Sequence, residues 1–212
     1  MTVGTLGNMA DTITDEIRDS TIPTQIIDKI LEAIDYYDGE RFYFNEDQSI
    51  VYTTSNSQEF YTSVDWSGID TIRHIDSVKV QYSGGRFPLR AATWDEMERA
   101  STTTTNVGVP TYYAYYQQRL RLYPIPNQAY TIQMAVLQQL ATLSLTTQSN
   151  AWVVDGFNMI KARAKALIYA HIKDDPQQAQ KFEYIADQEY KALKAQTRNR
   201  IATGRVRTWS IL

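Results

Sequence analysis

The sequence has no cysteine. Structural disulfides and thiolate metal sites are therefore excluded, while the compartment is left open. No apolar run approaches the ~18 residues that a membrane span needs, so no membrane role is expected. The opening residues MTVGTLGNMADTITDEI have neither the basic start nor the apolar run of a signal peptide. They predict a protein that acts where it is made, or leaves by cell lysis. Histidine is nearly absent: His74 and His171 are the only two, and no H-x-x-x-H or comparable spacing exists. No metal or other cofactor is expected. Nucleophile-elbow, Walker and dinucleotide-binding glycine signatures are missing too. The "SGG" at 83–85 reads as a hairpin turn, not a phosphate cradle.

Acids outnumber bases, 24 to 21. The net charge is −3, which argues against a dedicated nucleic-acid binder, although Arg198, Arg200, Arg205 and Arg207 could contact phosphates. Tyr112, Tyr113, Tyr115 and Tyr116 are interleaved with no base and read as sheet packing, not a stacking platform. The charge is uneven: residues 1–60 hold twelve acids and three bases, and residues 190–212 hold six bases and no acid. Ends of opposite sign suit head-to-tail contact between copies, or a basic tail on an acidic partner. The plain alternative is a solvated acidic helix pair and a basic end.

With 212 residues, 43% of them hydrophobic, the chain can bury a sizeable core. Leu6, Met9, Ile13 and Ile17 recur at helical spacing. After "STIP", Ile27, Ile30, Ile34 and Tyr37 do the same. Between 41 and 145 the texture changes. "RFYFNE" and "SIVYTTS" read as a hairpin, "SQEFYTS" as a short strand, and "SVKVQY", "SGG", "RFPLRAA" as strand, turn, strand. Thr93 with Glu96 forms a capping-box pattern for a short helix. "TYYAYYQQ", "RLRLYPIP" and "YTIQMAV" read as a three-stranded antiparallel meander. From 151 onward Val153, Phe157, Ile160, Ala164, Leu167 and His171 trace one helical stripe. Ala179, Phe182, Ala186, Tyr190 and Leu193 trace a second after Pro176. The "KDDP" link makes these antiparallel neighbours.

The expected fold class is α+β: a helical bundle with an inserted antiparallel β-rich subdomain and an extended C-terminal arm. The expected parts are residues 1–40 (helix pair), 41–145 (β-rich insert), 146–200 (second helix pair) and 201–212 (arm). Phe157, Ile160, Leu167, Phe182 and Leu193 are the expected bundle core. His171 lies on a helix stripe, which favours a packed histidine over a ligand, and His74 lies between Asp70 and Asp76. Asp65, Asp95 and Glu96 stand near tryptophans, as a pair of acids in a glycoside hydrolase would. For Asp95 and Glu96, however, a helix first turn is explanation enough.

The stretch GVPTYYAYYQQRLRLYPIPNQAYTIQMAVLQQLATLS, followed by a long helix pair, resembles the head-to-tail adaptor proteins of tailed bacteriophages, especially those with short tails. The resemblance is carried by Gly108, Pro110, Tyr113, Ala114, Leu122, Tyr123, Pro124, Pro126, Tyr130 and Thr131. It implies a virion protein at the head–tail junction, present in the host cytoplasm during assembly. It implies a homo-oligomeric ring of twelve copies, below the portal protein and joined to the tail nozzle or tube. DNA would pass through the lumen without specific binding. The helices would form the ring wall and the C-terminal arm would embrace the portal. Arg205, Arg207, Trp209, Ile211 and Leu212 are the candidate arm contacts, because large apolar groups and bases gather there without an acid. Tyr123, Pro124, Ile125 and Pro126 are a candidate docking hairpin, since a proline-stiffened segment loses little entropy when it binds. One branch of such adaptors is associated with cell-wall hydrolysis, but its catalytic residues do not map onto this chain, so no enzymatic role is expected. A wall hydrolase using acids such as Asp65 and Glu96, and a cellular interaction module, are the alternatives.

Overall fold

The computed structural model describes residues 4–101 and 106–202. In chain order its helices are α1 (Leu6–Ile17), α2 (Pro23–Tyr37), α3 (Trp94–Ala100), α4 (Ala151–Val154), α5 (Phe157–His171) and α6 (Pro176–Ala202). The strands are β1 (Glu46–Thr53), β2 (Phe60–Tyr61), β3 (Ile72–Tyr82), β4 (Gly85–Pro88) and β5 (Arg90–Ala91). They continue with β6 (Val107–Gly108), β7 (Tyr112–Tyr116), β8 (Arg119–Tyr123), β9 (Ile125–Pro126) and β10 (Thr131–Gln138). The fold is α+β: an N-terminal helix pair, a long C-terminal helix pair and an inserted β-rich subdomain. The chain divides into two compact units, Met1–Asn45 with Leu140–Leu212, and Glu46–Gln139.

In the helical unit the caps are local and chemical. The Thr5 hydroxyl accepts from the Asn8 N–H at 3.1 Å and starts α1. Pro23 opens α2, where its missing N–H costs nothing. Leu6, Met9 and Ile13 of α1 and Ile26, Ile30 and Ile34 of α2 face one core, shared with Trp152, Ile160 and Leu193. Of the five residues expected in that core, Ile160 and Leu193 are buried and Phe157 and Leu167 are half-buried against it. Phe182 is half-buried, stacked 5.5 Å from Tyr169, with the Lys165 ammonium 3.7 Å from its ring centroid. The helix expected to run unbroken from 151 is interrupted: Asp155 and Gly156 separate α4 from α5, and the Asn150 carboxamide caps α4.

RFYFNE is not a strand. Phe42 is fully buried in the helical core, and the Asn45 carboxamide accepts from the Phe42 N–H at 2.8 Å and donates to the Glu40 carbonyl at 2.8 Å. The aromatic residues that resemble a strand are core anchors of a side-chain-closed turn.

Ion pairs join the helices. Glu16 of α1 accepts from Lys161 at 2.6 Å and Lys165 at 2.7 Å, both on α5. Asp19 accepts from Lys173. Glu40 accepts from Lys194 of α6 at 2.5 Å and from the Tyr190 hydroxyl at 2.9 Å. Burial pushes the Glu16 pKa up, but hydrogen bonds from the two lysines outweigh it, and the net shift is downward. The Lys173 hydrogen bond, helped by Thr21, holds Asp19 well below the carboxylate range. The Lys194 hydrogen bond lowers Glu40 despite some desolvation. A depressed folded-state pKa gives stability that is present above the unfolded value and lost as pH falls through the folded one. The reference values are 4.5 for Glu and 3.8 for Asp. The unfolding midpoint of the helical unit is therefore expected to hold between neutral pH and about 5, then fall below about 4. Thermal melts across that range check this, and a midpoint that rises on acidification would overturn the assignment.

The β-rich unit contains a four-stranded antiparallel sheet of order β1-β10-β3-β4 and a second sheet of order β2-β8-β7-β5, in which β5 runs parallel to β7. β6 and β9 pair in parallel. Tyr61, Leu120 and Leu122 from the second sheet share one core with Val78, Val80, Ile132 and Met134 from the first. The expected meander is half right. β7 and β8 form an antiparallel pair, but β10 belongs to the other sheet, between β1 and β3. The prolines in YPIP mark a crossing between sheets, not a hairpin.

Candidate interaction surfaces

The stretch 119–131 holds the candidate docking residues and a buried arginine. Tyr123 is 7% exposed; its hydroxyl donates to the Ala100 carbonyl at 2.6 Å and accepts from the Asn106 carboxamide at 3.0 Å. The Tyr123–Pro124 peptide is cis. Ile125 sits opposite Val107 and Pro126 opposite Gly108. Pro126 is buried, while Pro124 and Ile125 are half-buried. Of the four candidate docking residues, Tyr123 and Pro126 serve the interior and Pro124 with Ile125 reach the surface.

Arg121 is a feature the sequence did not reveal. It stands on β8 between Leu120 and Leu122, and is 3% exposed. Its Nε donates to Glu59 at 2.6 Å, one terminal nitrogen to Glu98 at 2.5 Å and the other to the Ser101 hydroxyl at 2.8 Å. Phe60 and Trp94 flank the guanidinium, with ring centroids 5.3 and 5.0 Å away. A planar fork with aromatic faces on it is the environment that suits Arg and not Lys. Arg121 thus ties β2, α3 and β8 together. Beside it Trp94 contacts Tyr116, which is 57% exposed. The Arg119 guanidinium lies 6.0 Å from the Phe60 centroid. This rim of Trp, Tyr and Arg has the composition of protein interface centres.

The carboxylates considered for hydrolysis are spent on local structure. Asp65 accepts from the Thr62 N–H at 2.9 Å and from Gln58 at 2.7 Å. Glu96 accepts from the Thr93 N–H at 2.7 Å, completing the expected capping box. The Thr62 backbone bond, with Gln58, lowers the pKa of Asp65, and the Thr93 backbone bond lowers that of Glu96. A general acid in glycoside hydrolysis needs the opposite shift. Asp95 lies in the same first turn of α3 and is exposed.

His74 is 65% exposed with Nε2 3.6 Å from Asp76, and His171 is exposed with Nδ1 3.3 Å from the Lys29 ammonium. Among the described residues no three His, Cys, Asp or Glu side chains gather closely enough to hold a metal ion. Arg205, Arg207, Trp209, Ile211 and Leu212 lie outside the described residues.

The residues that carried the phage-adaptor resemblance are mostly interior: Pro110 and Pro126 are buried, and Tyr113, Ala114, Leu122, Tyr123 and Tyr130 are core positions. They mark a way of folding. Compared with known families, the chain matches the SU10 adaptor protein over residues 1–208. The chain belongs to the SU10 adaptor family. It is a structural virion protein of the phage head-to-tail connector type, and it interacts with portal and tail components. No curated protein matches the sequence. For a connector, the site is a set of surfaces. Asp65 closing a turn, Glu96 capping α3 and the Arg121 cluster fastening elements together fit that reading.

Proposed function

We propose that this SU10 adaptor forms a ring, twelve copies in the assembled virion, seated below the portal at the head–tail junction. The ring continues the DNA channel into the tail nozzle or tube, and the protein acts without catalysis. The observation that carries this reading is the family match over residues 1–208, nearly the whole chain. In support, residues 1–60 carry a surplus of acids, and Asp11, Asp15, Asp28, Glu32 and Asp35 are exposed on α1 and α2. If α1 and α2 line the lumen, such a surface repels phosphate and lets DNA slide past without sticking.

The portal contact is assigned to Arg205, Arg207, Trp209, Ile211 and Leu212. The segment joins bases to large apolar groups with no acid, and an aromatic flanked by arginines is a common hot spot. Pro124 and Ile125 offer a second, smaller contact, with Tyr123 and Pro126 supporting them from inside. The test is truncation after Gly204. The shortened chain is expected to melt like the full chain but to lose attachment to portal-bearing particles. A truncated chain that attaches with unchanged affinity would sink the arm assignment. A full chain that does not attach at all would sink the connector ring itself.

A further inference from the structure

α6 is far longer than the helix it packs on. It has 27 residues against the 15 of α5, and the Tyr169–Phe182 stack sets the antiparallel register. By that register the start of α5 lies near Lys194, so the last turns of α6 have no α5 to rest on. A helix end without packing frays. Here the turn between α2 and β1 supplies the packing. Lys194 donates to Glu40 at 2.5 Å and to the Arg41 carbonyl at 3.1 Å. Thr197 is 4% exposed; its hydroxyl accepts from the Tyr43 N–H at 3.1 Å and donates to the Leu193 carbonyl at 2.9 Å. One turn later the Arg200 guanidinium lies 3.6 Å from the Tyr43 ring centroid.

The Tyr43 ring is itself held from the other side. Its hydroxyl donates to Asp155, between α4 and α5, at 2.8 Å. Phe44 meets it edge to face with centroids 5.3 Å apart. Burial, then the Asp155 bond, pushes the Tyr43 pKa up, so the hydroxyl stays a donor at working pH. All of these groups belong to the helical unit. A guanidinium this close to a ring is held by charge–quadrupole attraction and by stacking. Yet Tyr43 is only half-buried and Arg200 is exposed, so neither side chain closes the core. What the pair fixes is the point and direction at which the chain leaves α6, shortly before Arg205.

We propose that Tyr43 and Arg200 form a clamp that aims the C-terminal arm at the portal. They are positioning residues, acting through the end of α6 and not by touching the portal. A held helix end presents the arm from one place, which cuts the conformational freedom lost on attachment. A frayed end would lengthen the tether and raise that loss. The clamp rests on the arm assignment above and names what orients the arm.

The chain has no cysteine, so Asn199→Cys, at an exposed position of α6, takes a single spin label. The label is expected to be immobile in the otherwise unchanged chain and in Tyr43→Phe, which keeps a ring under Arg200. It is expected to be mobile in Tyr43→Ala and in Arg200→Ala. Affinity for portal-bearing particles is expected to fall at least about tenfold in both alanine variants and to stay within about threefold in Tyr43→Phe. Arg200 is exposed, so Arg200→Ala should melt like the full chain even where Tyr43→Ala melts lower. A mobile label with unchanged affinity, beside a chain cut after Gly204 that does not attach, overturns the clamp and leaves the arm assignment standing. An immobile label in both alanine variants overturns the clamp as well. A cut chain that attaches like the full one removes the arm assignment, and the clamp with it.

Discussion

Arg121→Ala is expected to destabilise the β-rich unit by about 3–5 kcal/mol. The residue is almost wholly buried and supports three hydrogen bonds at once. Its removal leaves Glu59 without a cation while that side chain is only 21% exposed. Glu98, at 55% exposure, rehydrates more easily and limits the loss. The aromatic rings of Phe60 and Trp94 lose the flat group between them. Arg121→Lys keeps the charge but offers a point donor where a fork is needed, so it should fall between wild type and alanine. Urea midpoints order the three chains. Hydrogen exchange should accelerate first in β8, β2 and α3. An alanine variant within about 0.5 kcal/mol of wild type, as for an ordinary surface site, would show that the cluster adds nothing.

That cluster also marks where sequence reasoning stops. In RLRLY the alternation correctly predicts a strand, yet it puts Arg119 and Arg121 together on the polar, outward face. Only Arg119 is exposed. Arg121 is covered because Trp94 and Met97 bring α3 over that face of the sheet. A period of two tells which residues share a face, not whether another element will later cover it. Pairing partners are hidden for the same reason. YTIQMAV follows YPIP closely, but β10 pairs with β1 and β3, contributed by segments roughly 50 to 90 residues earlier. Helices were easier, because their stripes and caps are local. Thr93 with Glu96 and Pro23 before Ile26 need only neighbouring residues to act. The resemblance was legible in a buried motif because core positions constrain residue type tightly. The surfaces by which an adaptor meets its partners carry no such constraint within one chain and leave no pattern to read.

Trp152→Ala is expected to cost the helical unit about 3–5 kcal/mol. Trp152 is 1% exposed and is the largest fully buried side chain of the described residues. It sits on α4, the single-turn helix that the Asn150 cap starts and Asp155–Gly156 ends. Phe42 and Phe44 meet its ring edge to face, with centroids 5.6 and 5.1 Å away. These contacts join the turn before β1 to the start of the C-terminal helices, so truncation opens a cavity where several elements meet. The indole N–H adds a second term of opposite sign. It is buried with no hydrogen-bond partner among the described residues, a desolvation penalty of about 1–3 kcal/mol carried by the native state. Trp152→Phe keeps most of the ring volume and removes that penalty. It is therefore expected to cost less than about 1.5 kcal/mol, far less than alanine. Denaturant midpoints of the two variants, read beside wild type, separate packing from polar burial. A phenylalanine variant as unstable as the alanine one would mean that the N–H is satisfied in solution and that the shape of the indole is what Phe42 and Phe44 require.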